Sequence, residues 1–340
     1  MRVINQKFFY FGLMAVFVIA GLLFVSIFIL AEKSFDQNET WQEFELKPGW
    51  GLEEIGQGLK DANLIRSLFS FKLYTILTGR ALSLKPGDYL FNSSMSLAEI
   101  VKKLWQGPQE EAVITIPEGF SLKEIDGLLS QAGIISSGDL NNFSPLELVQ
   151  EFPFLAGLTT LEGYLFPDTY RFFLNSGAKT AARKMIQNFQ LKVLPLIESN
   201  PAALNETIIL ASLIEKEVIL DVDRSLVAGI LNKRLENNVP LQVDATIVYI
   251  KCKGIYQNCS ERNLTKKDFS LVSPFNTYLY PDLPPAPITN PGLSAIKAVL
   301  NPLLSEYWYY LSDSLTKKTI FSETLEEHNL NRTKYLKISN

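Results

Sequence analysis

The stretch ASLIEKEV, residues 211–218, places two glutamates among residues that are mostly apolar. On a helix with about 100° between successive residues, Glu215 shares an apolar face with Ile208 and Val218, whereas Glu217 lies about 200° from Glu215. A carboxyl group on an apolar face is difficult to ionise, so burial raises its pKa toward the range that a general acid needs. The pattern therefore predicts Glu215 as a proton donor.

A buried glutamate has a second common use, as one half of an ion pair. Arg224 and Arg234 follow the same stretch, and either of them could neutralise Glu215. Glu215 would then stabilise the fold and take no part in chemistry. The periodicity alone leaves both interpretations open.

Composition narrows the chemistry that the rest of the chain could add. The 340 residues include one histidine, His328, and two cysteines, Cys252 and Cys259. That is too few for a zinc site of ordinary composition, so we expect no metal and no cofactor. Ser-His-Asp and Cys-His schemes would both need His328, which lies in a charged stretch near the C-terminus. A net charge of −4 and the lack of a long basic run argue against a nucleic-acid partner.

An apolar run without charges extends over residues 8–31. It exceeds the roughly 20 residues that a helix needs to cross a membrane. It also continues directly into charged residues, without the cleavage site of a signal peptide. Arg2 and Lys7 precede the run, and acidic residues follow it. The sequence therefore predicts one uncleaved transmembrane helix over residues 8–31, with residues 1–7 in the cytoplasm and the rest of the chain outside.

This topology affects the interpretation of the two cysteines. Thiols on the outer side of a bacterial-type membrane meet oxidising conditions, which favours a disulfide between Cys252 and Cys259. Spacing alone does not fix the distance between their Cα atoms. Two free buried thiols remain the alternative.

One motif recurs in the first half of the chain. GWGLEEIGQGLKDANLI at 49–65 aligns with GFSLKEIDGLLSQAGII at 119–135, and MSLAEIVKKL at 95–104 is a shorter copy. In the second copy, Ser121 followed by Glu124 forms a capping box that predicts a helix start. The flanking stretches WQEFEL and EAVITIP alternate apolar and polar residues as half-buried strands do. Residues 41 to about 145 are therefore predicted to form small β-α units, for which a scaffold is the plainest role. The first unit resembles the LysM module, a binder of N-acetylated glycans.

The second half contains longer elements. AARKMIQNFQ and NETIILASLIEKEVIL predict helices, LQVDATIVYI predicts a strand, and a further helix is expected to begin near Leu293. Prolines between residues 274 and 291 stiffen the intervening loop, which carries Asn276, Thr277 and Tyr278. Such a loop suits a sugar-binding groove or, as the alternative, a rigid connector.

Several stretches in order resemble the YceG-like, or MltG-type, endolytic murein transglycosylases: EGYLFPDTY, ASLIEKE, LQVDAT, SPFNTY, LPPAPITNPGLSAIKAVLNP and FSETLEEHN. The resemblance implies an α+β chain with a single N-terminal transmembrane helix, a small LysM-like β-α subdomain over 41–110 and an α+β catalytic domain over 111–335. The chain departs from the family pattern at Val243, Ala245 and Ala286, which leaves the shape of the subsites open.

The same resemblance implies a lytic transglycosylase, a carbon–oxygen lyase that cleaves the β-1,4 bond between N-acetylmuramic acid and N-acetylglucosamine. Glu215 would protonate the glycosidic oxygen and then accept the proton of the muramic C6 hydroxyl, so that 1,6-anhydro ends form. Because that hydroxyl is the nucleophile, one carboxyl group suffices. The positions that match family motifs of the cleft are Glu162, Asp168, Gln242, Asp244, Thr246, Asn276, Thr277 and Tyr278.

The implied location is the bacterial cytoplasmic (inner) membrane, with the catalytic domain on its outer, periplasmic side. The implied partners are nascent peptidoglycan strands, the membrane, and peptidoglycan synthases or divisome proteins. Two other classes of function stay open. A non-catalytic glycan-binding divisome scaffold would use Glu215 structurally. A conventional two-carboxylate muramidase would need a partner such as Asp244 across the cleft and would release reducing ends.

The predicted topology can be tested with reporters fused after Asn340. A reporter that requires export should be active there, and one that requires the cytoplasm should be inactive, because the charge asymmetry places the C-terminus outside. Protection of that C-terminus from protease in spheroplasts would contradict the topology.

Overall fold

The computed structural model describes residues 41–108, 110–197, 203–257, 259–313 and 315–336. The predicted transmembrane helix over 8–31 and the cytoplasmic residues 1–7 lie outside these ranges. Among the residues that the structure describes, no helix combines the length and the apolar character needed to cross a membrane.

The chain divides into two compact units after Glu110. The first unit contains, in chain order, β1 (Trp41–Leu46), α1 (Leu52–Asp61), α2 (Leu68–Leu77), β2 (Gly87–Asn92) and α3 (Leu97–Gln106). The two strands are antiparallel, and Trp41 pairs with Asn92 at one end of the ladder. The core lies between this ribbon and the three helices, and its residues include Phe44, Phe71, Phe91 and Ile100. The resemblance of this unit to a LysM module stays a prediction.

The second unit contains seven helices and four strands among the described residues. In chain order these are β3 (Glu111–Thr115), α4 (Leu122–Gln131), β4 (Thr169–Phe173), α5 (Ala178–Ile197), α6 (Leu204–Glu217), α7 (Asp221–Glu236), α8 (Asp244–Lys251), α9 (Leu293–Leu300), β5 (Tyr309–Ser312), β6 (Thr319–Ser322) and α10 (Leu325–Tyr335). β3 pairs with β4 and β5 with β6, both antiparallel. Helices with small antiparallel sheets are the α+β organisation that the sequence predicts.

Helix α6 is the centre of the second unit. Its residues from Thr207 to Ile214 are all buried, so the helix has apolar neighbours on every side. It packs against α7, α8 and α9. A helix enclosed in this way is fixed by its surroundings over its whole length, and its C-terminal turn brings Glu215 and Glu217 to a defined position at the edge of the core.

The predicted capping box at the start of α4 is confirmed. The Ser121 hydroxyl accepts the Glu124 N–H, and the Glu124 carboxylate accepts the Ser121 N–H. Glu124 also accepts the N–H groups of Tyr256 and Gln257, both at 2.7 Å. The cap therefore ties the start of α4 to the segment that follows α8, in addition to satisfying the helix terminus.

The predicted strand LQVDATIVYI is wrong, because most of this stretch forms helix α8. Leu241 and Val243 are buried before the helix, and Ala245 and Val248, one turn apart, are buried within it. A short apolar run rich in β-branched residues fits a strand or a buried helix equally well by pattern. Tertiary packing against α6 decides the outcome here.

Cys252, which follows the last residue of α8, is bonded to Cys259 in the structure, with Cα atoms 5.8 Å apart. That separation lies within the range that an unstrained bridge allows. The bond closes the chain directly after the helix. The end of α8 is thereby fixed covalently in addition to its packing.

Peptide mapping without reduction should recover Cys252 and Cys259 in one cross-linked fragment. Replacing both cysteines by serine should lower the free energy of unfolding by roughly 2–3 kcal/mol in urea, because the open loop gains entropy in the unfolded chain. Quantitative alkylation of both thiols in the denatured, unreduced protein would contradict this pairing.

Candidate active site

Three consecutive residues at the end of α6 each have a different partner. Glu215 contacts Arg224 of α7. The Lys216 ammonium lies 3.9 Å from the centre of the Tyr256 ring. Glu217, the last residue of the helix, accepts a hydrogen bond from the Ala245 N–H in the first turn of α8. The terminus of α6 is thus held by separate contacts.

Glu215 is one half of a buried ion pair. Its Oε1 accepts Arg224 Nη2 at 2.9 Å, and its Oε2 accepts Arg224 Nη1 at 3.4 Å and the Gly292 N–H at 2.9 Å. The side chains of Glu215 and Arg224 are only 6% and 7% exposed. The ion pair with Arg224 that the sequence left open is therefore present, and the role of Glu215 in chemistry stays a prediction. Arg234 instead donates to the carbonyl groups of Trp308 and Leu241.

A second carboxyl group, Glu118, lies beside this pair. Burial raises the pKa of Glu118, and the negative charge of Glu215 raises it further, while Arg224 opposes both effects. The Glu118 carboxyl packs against Gly292, where an added Cβ atom would lie 1.9 Å from Oε1. Sequence reasoning did not identify Glu118, because it stands alone after β3 with no periodic or motif signal.

Glu217 has the environment that sequence reasoning assigned to Glu215. The pKa of Glu217 is raised to about 7, mainly by burial and also by the nearby charge of Asp244, while the hydrogen bond from the Ala245 N–H opposes this rise. That hydrogen bond reaches Oε1 at 3.0 Å. The described residues donate no other hydrogen bond to the Glu217 carboxyl group. A partly buried glutamate that keeps its proton near neutral pH is a candidate general acid.

Asp244 and two tyrosines complete the surroundings of Glu217. The Tyr278 hydroxyl donates to Asp244 Oδ1. Burial raises the pKa values of Tyr278 and Tyr310, and the charges of Asp244 and Glu217 raise both further. Both phenol groups therefore stay protonated beside the two carboxyl groups, so each carries an O–H that can donate. Tyr310, from β5, is a site residue that the sequence did not indicate.

The loop carrying residues 276–278 packs onto the start of α8. Thr277 Oγ1 accepts the Val243 N–H at 3.0 Å and lies 3.0 Å from Thr246 Oγ1. The Thr277 carbonyl accepts the Gln242 N–H at 3.0 Å. Asn276 donates to two carbonyl groups of the preceding loop and accepts the Tyr278 N–H at 2.9 Å.

Six of the eight predicted cleft positions thus lie at the start of α8 and in the loop that packs onto it. They have two different roles. Thr246, Asn276 and Thr277 are buried and fix the loop against the helix. Asp244 and Gln242 are exposed, and Gln242 has a positive φ of 54°, which is uncommon for a residue other than glycine. Asp244, Gln242 and the partly buried Tyr278 are the members of this set that a ligand can contact.

The other two predicted positions, Glu162 and Asp168, have hydrogen-bond partners that do not include Glu217. Glu162 Oε1 accepts the Leu122 N–H at 2.8 Å and Asn290 Nδ2 at 3.2 Å, and burial raises its pKa to about 8. Asp168 accepts hydrogen bonds from Lys192 and Asn188, which lower its pKa to about 2. Glu162 also lines a separate cavity of about 360 Å³.

The remaining candidates for unusual chemistry are few. His328 stacks on Tyr309 with ring centres 5.2 Å apart, and burial lowers its pKa. Within the described ranges, no group of three or more histidine, cysteine, aspartate or glutamate side chains is arranged to hold a metal ion. The site therefore offers carboxyl and phenol groups to a ligand.

The raised pKa of Glu217 predicts a measurable pH dependence of stability. The native state keeps this proton up to about pH 7, whereas an unfolded glutamate releases it near its ordinary pKa of 4.5. The stabilisation is complete below pH 4.5 and is lost as the pH rises to about 7. Urea unfolding over this range should show a smaller loss of stability in Glu217→Gln than in the wild type. Glu162 is retained in both proteins, so its own raised pKa does not affect the difference. Equal losses in the two proteins would contradict the burial of a protonated Glu217.

Comparison with known proteins gives a consistent set of similarities. Residues 44–334 match the model of the YceG-like family. The chain is 30% identical over 333 residues to an endolytic murein transglycosylase of Bacillus subtilis (strain 168), which covers 92% of this chain and 89% of the relative.

Two further similarities have different extents. An endolytic murein transglycosylase of Streptococcus pneumoniae serotype 2 (strain D39 / NCTC 7466) is 30% identical over 311 residues, or 83% of this chain, which spans only 56% of that relative's length. The crystal structure of a putative yceG-like protein from Listeria monocytogenes matches with a TM-score of 0.56 and 29% identity, covering 86% of this chain and 99% of that chain.

Proposed function

Because the chain belongs to the YceG-like family, we propose that it is a lytic transglycosylase, a carbon–oxygen lyase that cleaves the glycan strands of peptidoglycan inside the strand. Relatives that carry the name endolytic murein transglycosylase align with 83% to 92% of the chain. The structural observation that supports a mechanism is the partly buried carboxyl group of Glu217, whose pKa lies at about 7 beside Asp244.

Of the two glutamates at the end of α6, the contacts favour Glu217 as the acid. The sequence pattern assigned this role to Glu215. Both oxygen atoms of Glu215, however, accept hydrogen bonds from Arg224 or the Gly292 N–H. A charged guanidinium such as that of Arg224 pairs with a carboxylate. Glu217 has one N–H donor on Oε1, which leaves Oε2 for a substrate.

The proposed reaction uses the Glu217 carboxyl group twice. It first gives its proton to the β-1,4 glycosidic oxygen between N-acetylmuramic acid and N-acetylglucosamine as the bond from C1 to that oxygen breaks. The carboxylate then takes the proton of the muramic C6 hydroxyl, whose oxygen bonds to C1. The products are a free 4-hydroxyl group and a 1,6-anhydro end, and no water is consumed. A pKa near 7 suits a group that must both donate and accept.

Asp244 has a supporting role in this scheme. Positive charge develops at C1 as the leaving oxygen departs, and a fixed carboxylate stabilises such charge most when it is oriented in advance. The Tyr278 hydroxyl provides that orientation by donating to Oδ1. The same negative charge raises the pKa of Glu217, so Asp244 also keeps the acid protonated.

Glu215 acts as a positioning residue in this proposal. Its pair with Arg224 joins the last turn of α6 to α7, and its bond from the Gly292 N–H joins that turn to the start of α9. Glu217 follows two residues later. Fixing the turn therefore fixes the carboxyl group that performs the chemistry.

The proposed location follows from the sequence. We place the chain in the bacterial cytoplasmic membrane, anchored by residues 8–31, with the catalytic unit on the outer side. Nascent peptidoglycan strands are its substrates there. Peptidoglycan synthases and divisome proteins are its proposed neighbours, because they act on the same strands.

A two-carboxylate muramidase is the second candidate, since Asp244 lies close enough to Glu217 to affect its pKa. In that reaction Asp244 would act as base or nucleophile, and water would give a reducing end. Mass spectrometry of digested glycan strands separates the two candidates. Anhydro ends support the lyase, and reducing ends support the hydrolase.

Glutamine substitutions test the assignment of the acid. Glu217→Gln should lower the rate of release of 1,6-anhydro ends by about 10²- to 10⁴-fold, because the amide cannot deliver or accept the proton. Circular dichroism should show a folded protein. Glu206→Gln, exposed in the first turn of the same helix, is the matched control and should keep the wild-type rate.

Glu215→Gln should act through the fold. It leaves the buried Arg224 with the exposed Asp221, 3.3 Å away, as its remaining acidic partner, and should lower the free energy of unfolding by about 3 kcal/mol. The residual activity of Glu215→Gln should still decrease above about pH 7, as in the wild type, because Glu217 still supplies the proton. A folded Glu215→Gln without activity, together with near-normal turnover by Glu217→Gln, would return the role of acid to Glu215.

A further inference from the structure

The exposed apolar side chains of the first unit lie together. Five large hydrophobic residues are exposed in the described part of that unit, by fractions from 43% for Trp105 to 102% for Leu82. The others are Phe69, Ile76 and Leu77. We call these five residues the apolar patch. Single exposed apolar residues are ordinary. Several of them on neighbouring segments of one folded unit indicate an interaction surface.

Sequence spacing and contacts bring the segments that carry the apolar patch near one another. Phe69 and Ile76 are seven residues apart on α2, so they share a face about 10 Å long. The Arg80 guanidinium lies over the Trp105 ring, 5.2 Å from its centre. The Lys85 N–H donates to the Leu104 carbonyl at 2.9 Å. Residues 80–83 form a turn in which the Ser83 N–H donates to the Arg80 carbonyl at 3.1 Å. This turn contains Leu82 and therefore lies beside the end of α3 from which Trp105 projects.

The charged side chains that contact the Trp105 end of the apolar patch are positive. Arg80 stacks on Trp105, and the Lys85 ammonium donates to the Gln106 carbonyl at 2.9 Å. Glu53, Glu54 and Asp61 of the same unit line a concave surface with Trp50. Glu53 also pairs with Lys72 on α2, which lies between Phe69 and Ile76. Tryptophan and aliphatic side chains with adjacent basic groups are typical of surfaces that bind at the boundary between lipid headgroups and acyl chains.

The sequence places this unit next to such a boundary. This step rests on the membrane anchor in the proposed function. Residues 32–40 are the nine residues that join the apolar run 8–31 to Trp41 at the start of β1. Even fully extended, nine residues reach only about 30 Å. The short link therefore keeps the first unit close to the bilayer, which gives the apolar patch a high effective concentration of lipid surface.

We infer that the apolar patch docks on the outer surface of the bilayer, with Leu82 and Trp105 among the lipid headgroups and Arg80 and Lys85 against anionic phosphates. The anchor alone would leave the first unit free to rotate above the membrane. A second contact of this kind fixes which side of the unit faces the lipid.

A fluorescence experiment on the full chain in nanodiscs tests this docking. A cysteine introduced by Ser83→Cys, exposed beside Leu82, carries an environment-sensitive fluorophore. Cys252 and Cys259 do not react because they are bonded to each other. The matched label is at Gln57→Cys, exposed on α1 outside the apolar patch. The nanodiscs contain phosphatidylethanolamine and phosphatidylglycerol, and a fraction of the lipid carries a nitroxide quencher at the headgroup.

We expect quenching at position 83 to be several-fold stronger than at position 57. Ile76→Ser combined with Leu82→Ser should reduce it to the level at position 57. The double variant should stay folded, because exposed side chains contribute little to stability. Its turnover of short glycan strands in detergent should equal that of the wild type, since neither residue belongs to the catalytic site.

Three outcomes would overturn the inference. These are equal quenching at the two labels, quenching at position 83 that the double variant leaves unchanged, and a full chain that does not enter nanodiscs. A signal at position 83 that responds to added unlabelled chain or glycan strands, and not to lipid, would assign the apolar patch to that partner instead. Loss of turnover in every protein would reject the proposed reaction while the quenching result still stood.

Discussion

The ion pair between Glu215 and Arg224 is the contact on which the arrangement of the site depends. Both side chains are buried, and charges removed from water are tolerated only when partners and hydrogen bonds replace the lost hydration. Here the Gly292 N–H supplies the additional bond at 2.9 Å. The pair therefore favours one arrangement of α6 and α7, because a shift of one helix against the other would separate Glu215 from Arg224. The Gly292 N–H adds the start of α9 to this arrangement.

The two glutamates show how neighbouring residues of one type acquire different properties. Glu215 meets an arginine and a backbone N–H, whereas Glu217 meets Asp244 and protonated phenol groups. The first carboxyl group accepts hydrogen bonds from a guanidinium and a backbone N–H, and the second environment stabilises a carboxylic acid. Separating the properties of two like groups by their surroundings is a common way to obtain an acid in a site of carboxyl groups. Lys216 lies between the two glutamates in sequence, and its contact with Tyr256 directs its charge elsewhere.

The sequence predicted the elements of the second unit better than it predicted the roles within them. Helix α6 and the capping box of α4 follow from local periodicity and local hydrogen bonding. The pairing of Glu215 with Arg224 was one of two open interpretations. Helical periodicity places Glu215 on the apolar face, but it does not show that α8 covers the other side of the last turn. α8 and β5 both contact Glu217, and neither contact follows from helical periodicity. The Ala245 N–H reaches Glu217 from the first turn of α8. The strand predicted for this stretch does not indicate that hydrogen bond, so one wrong element concealed the environment of Glu217.

Gly292 has an ordinary φ of −76°, so no unusual backbone conformation requires glycine there. The requirement comes from space, since the Glu118 oxygens occupy the volume that a Cβ atom would take. A methyl group at this position would displace a carboxyl group whose charge state is coupled to Glu215 and Arg224. Alanine at residue 292 would therefore behave as an electrostatic change although it adds no charge. Tolerance to substitution at this glycine is set by the ionisation of its neighbours, and a scale of side-chain volume or hydrophobicity would not reveal it.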